Sequence, residues 1–312
     1  MTSPSGSTDI SLRPIDPTRR AVSPDAGLSP RATRVTPVDV GVFGGSGLYE
    51  LFDDVEHVEV ATPYGPPSAP IAVSEIPSDG GAIRVAFLPR HGRRHHLPPH
   101  LINYRANVWA LHHLGARRIL SPCASGSLQP DIHPGDLLVC DQLVDRTSGR
   151  PSTFFDGPTV NHVSFGDPYC PHLRSTVAAR AVAAGATVHS TGTVVVIDGP
   201  RFSTRAESAW YRAQGWQVIN MTQAPEAALC RELGICHSAL AVVTDYDAGV
   251  DRPGTAPVTQ DEVYAAFAAM MPQIRGIIVG VLASLDRERA CDCDAATNGL
   301  TPDPPHDLVG PG

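Results

Sequence analysis

Positive charge is scarce in this chain: 24 Lys+Arg stand against 32 Asp+Glu over 312 residues, a formal net charge of −8. A general nucleic-acid binder needs a broad basic surface, so that class is excluded and any anion site must be local. Long apolar runs are missing too. The longest, Ile277–Leu285, is about half of the roughly 18 residues that a membrane span requires. Cysteine is limited to an odd seven, scattered along the chain, which does not make a secreted disulfide framework. Cys291-Asp-Cys293, at the start of a polar, Pro-rich tail, reads as an incidental pair more readily than as a redox or metal pair. The middle has no Pro/Gly/Ser-rich linker, which favours one large α/β domain over two small ones. The first 36 residues mix Ser, Pro, Thr and Arg without an apolar core; disorder is a simpler reading than a transit peptide. The expected location is the cytoplasm.

What is present is an alternation of apolar β-type runs with helical patterns, the signature of a sheet flanked by helices. Val38–Phe43, Ile83–Leu88, Arg118–Pro122, Leu137–Cys140, Thr191–Ile197, Gln217–Asn220 and Cys236–Val243 are the strand candidates. Leu101, Tyr104, Val108 and Leu111 recur at helical spacing before Gly115. Further helices are expected over Leu173–Ala184 and Pro225–Leu233. A last one starts at Thr259, with Glu262 completing a capping box, and runs to Leu285 with a kink at Pro272. The tail beyond Arg289 is expected to fray.

Paired carboxylates end the Cys236–Val243 strand, in Thr244-Asp245-Tyr246-Asp247. Desolvation and a like-charged neighbour favour the protonated acid there, which suits proton donation to a leaving heterocycle. Gly44-Gly45-Ser46-Gly47 after the first strand suits an anion nest of backbone N–H groups, with a plain turn as the alternative. Arg90-His91-Gly92-Arg93-Arg94-His95-His96 offers a guanidinium fork for phosphate oxygens, or a solvated basic loop. As a metal site, His91, His95 and His100 suffer from three interleaved arginines and no nearby carboxylate. Ser121–Ser127 is a run of small residues at a strand end, where a ligand can approach the backbone. Phe202 could stack on a flat ring, although core packing is the commoner role. Met221 could lie against a sugar and Thr222 could donate to phosphate.

In order, GGSG, RHGRRH, NYRANVWAL, ASGSL, PGDLLVCDQLVDRT, GPRFSTRAES, VINMT, PEAALCRELG and TDYD resemble the 5′-methylthioadenosine phosphorylase branch of the trimeric purine nucleoside phosphorylase family, over about Val38–Leu285. The resemblance implies a single α/β domain with a mixed, partly barrel-like sheet, spanning 37–289 between an N-terminal arm (1–36) and a flexible C-terminal tail (290–312). It implies a homotrimer that uses orthophosphate as co-substrate, with no organic cofactor and no metal. Ser46, Arg90, His91, Cys123, Ala124 and Thr222 match phosphate-binding positions. Phe202, Ser203 and Met221 match positions around the nucleoside, and His162 matches a histidine that reaches a neighbouring subunit's site. Asp245 matches the group holding purine N7 and the 6-amino group, with Asp247 in support. The branch that accepts 6-oxopurines has asparagine at the Asp245 position and glutamate at the Ser203 position, so adenine is the expected base. Cys123 departs from the usual threonine or serine, Gln260 stands where an apolar residue would line the 5′ pocket, and the tail does not resemble the family's closing helix.

Overall fold

Continuous apolar runs, rather than alternating ones, mark strands buried on both faces. Such runs form the centre of the computed structural model, which describes residues 36–44, 55–78, 81–249, 257–286 and 288–303. In chain order the elements are β1 (Val40–Gly44), β2 (Glu56–Val58), β3 (Ile71–Ser78), β4 (Gly81–Pro89), α1 (Tyr104–His113), β5 (Arg118–Ser127), β6 (Leu137–Val139), β7 (Gln142–Asp145), α2 (Pro171–Ala183), β8 (Val188–His189), β9 (Thr193–Val196), α3 (Arg205–Ala213), β10 (Val218–Asn220), α4 (Gln223–Glu232), β11 (Cys236–Asp245) and α5 (Gln260–Ala283). The strands belong to one mixed sheet with helices packed against it. Ser46 and most of the expected N-terminal arm lie outside the described residues.

The sheet forks at β5. On one edge β5 carries β11, in parallel, along nearly its whole length. On the other it carries β1 only as far as Leu120, and β10 joins only at Gly126. Between those points no strand among the described residues lies beside that edge, and Pro122, Cys123, Ala124 and Ser125 line a cavity there. A proline at such a position costs no ladder hydrogen bond. The expected strand Arg118–Pro122 is therefore longer than its apolar run suggested, because small polar residues continue it to Ser127.

α5 starts with the Thr259–Glu262 capping box and continues through Pro272 as one helix. Its length and apolar composition would suffice to cross a membrane. Here its Met271, Ile274, Ile277, Ile278, Val281 and Leu282 face packs with Leu173, Val177 and Ala181 of α2 and with sheet residues in the main core. The tail does not fray where expected. Residues Cys293–Thr297 form a 3₁₀ turn, Arg289 donates to the Gly234 carbonyl (2.8 Å) and to Asp294 (3.1 Å), and Asp303 accepts from the Thr159 amide. Cys293 and Ala296 are buried, so the tail packs on the domain despite its polar composition.

Candidate active site

The cavity beside β5 has a volume of about 370 Å³ and collects most of the expected site residues: Arg90, His91, Cys123, Ala124, Phe202, Met221, Thr222, Asp245 and Asp247. Ser203 does not line it, although it is close enough to Asp247 to lower that acid's pKa. His162 lies on an exposed loop and does not line it either.

The acidic end is built by a bulge. Val243 pairs with Ser125 but Asp245 pairs with Gly126, so Thr244 is the extra residue and Asp245 is re-aimed at the cavity. A Cβ on Gly126 would stand 2.8 Å from Asp245 Oδ1 and 3.2 Å from Asp247 Cβ, so glycine is what lets both acids approach β5. Thr244 Oγ1 donates to Asp245 Oδ2 (2.7 Å), and the Asp247 amide donates to Asp245 Oδ1 (2.7 Å). Asp247 itself takes a left-handed backbone conformation, φ 48°, which aspartate tolerates better than most residues. Burial raises the pKa of both acids. For Asp245 the Thr244 and Asp247 hydrogen bonds pull the other way; for Asp247 the hydroxyls of Ser208 and Ser203 do so. Among the described residues, no partner reaches bonding geometry with Asp247 Oδ2.

Gly126→Ala is expected to leave the fold intact and lower kcat about tenfold to a hundredfold, since displacing a reacting group by about 1 Å has that cost. Unchanged kcat in steady-state assays of this variant would show that Asp245 does not need its present position.

The basic end is built on an ion pair. Arg90 is 2% exposed, and its Nε and Nη2 donate to the two oxygens of Glu226 at 2.7 and 3.2 Å. Nη1 donates to the Pro122 carbonyl at 3.0 Å, so one N–H remains on each terminal nitrogen for a ligand. Desolvation raises the pKa of Glu226, while the charge of Arg90 opposes the shift. Ser121 Oγ donates to Glu226 Oε2 (3.3 Å) and meets His237 Nε2 at 2.9 Å. Thr222 precedes α4 and is 5% exposed, and its hydroxyl makes no capping hydrogen bond. His91 places Nδ1 2.9 Å from the Leu97 carbonyl, which assigns that nitrogen the proton and leaves Nε2 as an acceptor. Burial beside Arg90 pushes its pKa down to about 3, so the ring is neutral. Cys123 is buried, and its thiol is pushed up by desolvation; Asn220 Nδ2 donates to its Sγ at 3.3 Å.

Burial also lowers His237 to about 3 and His112 to about 4. The unfolded chain protonates these histidines and His91 near pH 6.5, whereas the folded chain keeps them neutral. Through these rings unfolding takes up protons in that window, a contribution that lowers stability as pH drops from about 6.5 toward 4, while the buried acids Asp245, Asp247, Glu226 and Glu232, whose folded pKa values are raised, release protons on unfolding and oppose it. Urea titrations of His112→Gln beside the wild type isolate one ring: the wild type should lose more stability than the variant over that range, and identical slopes would mean that this ring is solvated in the native state.

Sequence reasoning missed six residues. Arg150 is a buried clamp that donates to the Met221 carbonyl (3.0 Å) and the Asp198 carbonyl (2.8 Å), and so holds the segment carrying Met221 and Thr222. Gly199, φ +63°, leaves room for Met221, whose Sδ would stand 2.5 Å from a Cβ there. Glu226 lies in PEAALCRELG, a segment given no chemical role from sequence. Val263, Tyr264 and Phe267 of α5 wall the cavity beyond Gln260, the first two about one turn after Gln260 and Phe267 about one turn further on.

The sequence model of the phosphorylase superfamily matches residues 39–283. The chain belongs to the phosphorylase superfamily. Within it, the chain is 52% identical over 274 residues to the purine nucleoside phosphorylase of Streptomyces coelicolor, covering 85% of this chain and 96% of the relative. It is also 52% identical over 254 residues to the S-methyl-5′-thioadenosine phosphorylase of Mycolicibacterium smegmatis, covering 81% and 93%. A crystal structure of methylthioadenosine phosphorylase from Schistosoma mansoni with adenine superposes with TM-score 0.78 at 35% identity, covering 87% of this chain and all of that one. This superfamily member therefore shares its fold with an enzyme that binds adenine, and its own cavity has one cationic and one acidic end.

Proposed function

We propose that the protein cleaves 5′-methylthioadenosine with orthophosphate, giving adenine and 5-methylthioribose 1-phosphate. The observation that carries this reading is the disposition of Arg90 and Asp245 along one strand. Arg90 bonds Pro122, and Asp245 lies over Gly126, which are about 13 Å apart along β5. Side chains reaching inward from the two ends can grip the two ends of a nucleoside–phosphate pair.

As the glycosidic bond stretches, the ribose becomes cation-like and the purine gathers negative charge. A proton or hydrogen bond delivered at N7 stabilises that state. Asp245 supplies it, since burial keeps this acid more protonated than an ordinary aspartate. Asp247 supports the base with its free oxygen. The free N–H groups of Arg90, the Thr222 hydroxyl and the Ala124 backbone fix phosphate beneath the anomeric carbon, from which it attacks with inversion. Its positioning replaces the entropy cost of a bimolecular encounter. No organic cofactor or metal enters this chemistry.

The apolar 5′ group packs on Val263 and Phe267, which outweigh the polar Gln260 at the start of α5. Cys123 is a weak donor. Cys123→Thr is expected to lower the phosphate KM about threefold to tenfold, a typical value for one hydrogen bond gained; an unchanged phosphate KM places the residue out of phosphate's reach. The working unit is a cytoplasmic homotrimer in which the exposed His162 reaches a neighbour's cavity.

Assaying 5′-methylthioadenosine with and without phosphate tests the reaction. Adenine release should require phosphate and yield the 1-phosphate sugar stoichiometrically, and an equal rate in phosphate-free buffer would mean a hydrolase. An equal or higher kcat/KM with adenosine would move the assignment to a 5′-hydroxyl substrate, a reading that the polar Gln260 favours.

A further inference from the structure

At the far end of β11 from Asp245, four cysteines distant in sequence meet. The sulfur atoms of Cys170, Cys236, Cys291 and Cys293 all lie within 4.8 Å of one another, three of the residues being buried and Cys291 half-buried. Cys236 Sγ and Cys291 Sγ are 3.3 Å apart. A tetrahedron of thiolates on zinc, with bonds of about 2.3 Å, has sulfur–sulfur edges of about 3.8 Å. Two disulfides would instead divide the sulfurs into two bonded pairs of about 2.05 Å. We infer that these four cysteines form a structural zinc site.

The surroundings suit thiolates. Cys170 is the N-cap of α2 and its sulfur accepts from the Leu173 amide at 3.4 Å, at the helix end that favours negative charge. Arg289 approaches Cys236 Sγ at 3.9 Å while donating to the Gly234 carbonyl. It supplies positive charge to a tetrathiolate centre whose net charge is negative. A closed set of four sulfurs leaves no coordination position for substrate, so the role is structural. Cys236 opens β11 and Asp245 closes it, about 30 Å of strand away, which separates the metal from the chemistry.

The ligands join three segments: the start of α2, the start of β11 and the C-terminal tail. The tail in turn holds the loop that carries His162, because Asn161 Nδ2 donates to the Thr297 carbonyl (2.9 Å) and Asn298 Nδ2 donates to Asn161 Oδ1 (2.8 Å). The metal thus clips the tail, and through it this loop, to the body of the domain. This corrects the view of Cys291-Asp-Cys293 as incidental.

The test uses the full-length protein purified without added reductant. Elemental analysis should find about one zinc per chain, and denaturation in chelator should release all seven cysteines as reactive thiols. Cobalt exchanged into the site should give the intense visible and thiolate-to-metal absorption of a tetrahedral sulfur site. Cys291→Ser/Cys293→Ser should lose the metal and lower Tm by several degrees, as expected when a ligand of the native state alone is removed. Fewer than seven thiols would assign the cluster to disulfides and overturn the inference. So would the absence of both zinc and the cobalt spectrum after reconstitution under reducing conditions, a readout on the wild-type chain that holds even if the variant fails to fold.

Discussion

Asparagine in place of Asp245 is expected to lower kcat for 5′-methylthioadenosine by about 10²–10⁴-fold, the usual contribution of a positioned general acid. The geometry makes this a clean substitution. Asp245 Oδ1 accepts from the Asp247 amide, which an asparagine carbonyl oxygen can also do, so the bulge should persist. The amide nitrogen would then face Thr244 Oγ1, which can rotate its hydroxyl to accept. What is lost is the ability to hand over a proton or to accept from a 6-amino group with full carboxylate strength. A 6-oxo group, by contrast, meets a donor in place of an acceptor, and a site that leaves a buried polar group unpaired rejects its substrate strongly. The variant should therefore shift the kcat/KM ratio of inosine to adenosine upward by at least about tenfold. Steady-state kinetics with the two nucleosides decide the matter: retained 6-amino activity would remove Asp245 from the mechanism.

The pH profile carries the same signature. Burial raises the Asp245 pKa, and the Asp247 charge adds to the shift. The protonated fraction, and with it kcat, should decline as pH rises through the raised value. The sign also reaches stability: burying this acid carries no charge penalty while it is protonated, and that penalty grows as pH climbs from the unfolded pKa of about 3.9 through the raised folded one.

Strands that carry the chemistry were legible where their apolar runs are continuous: Cys236–Val243 before the two aspartates, and Thr191–Ile197, whose last residue lines the cavity. Those at the periphery were not. β3 is a strand despite Pro77, because its pairing with β4 over Ala72–Ser78 outweighs the missing donor. α3 went unseen although Thr204 and Glu207 form a capping box, because it buries only Ser208 and Tyr211 and so presents no stripe of buried apolar residues at helical spacing. The site residues matched by motif largely converge on one cavity. What sequence could not supply is long-range geometry: Arg90 meets Glu226, 136 residues away, and Arg150 meets Met221, 71 away. The four-cysteine cluster was hidden for the same reason, since Cys170 and Cys291 become neighbours only when β11, α2 and the tail are in place.

The Arg90–Glu226 pair sets the second large expectation. Arg90→Met should lower kcat/KM for phosphate by about 10²–10³-fold, with the nucleoside KM changed far less, because in the proposed reaction the remaining N–H groups of the fork serve the anion and not the nucleoside. Folding should suffer less from this change than from removing Glu226. A lone buried carboxylate can take up a proton, and the pKa of Glu226 is already raised by desolvation, whereas an arginine cannot shed its charge. Glu226→Gln leaves that charge buried at 2% exposure and should cost about 3–5 kcal/mol. Phosphate would then be the main counter-charge available to Arg90, so phosphate should raise the Tm of Glu226→Gln by more than it raises that of the wild type. Thermal melts of the three proteins across a phosphate series measure both effects. If phosphate stabilises Arg90→Met as strongly as the wild type, the anion does not bind at the guanidinium, and the cationic end of the cavity has another role.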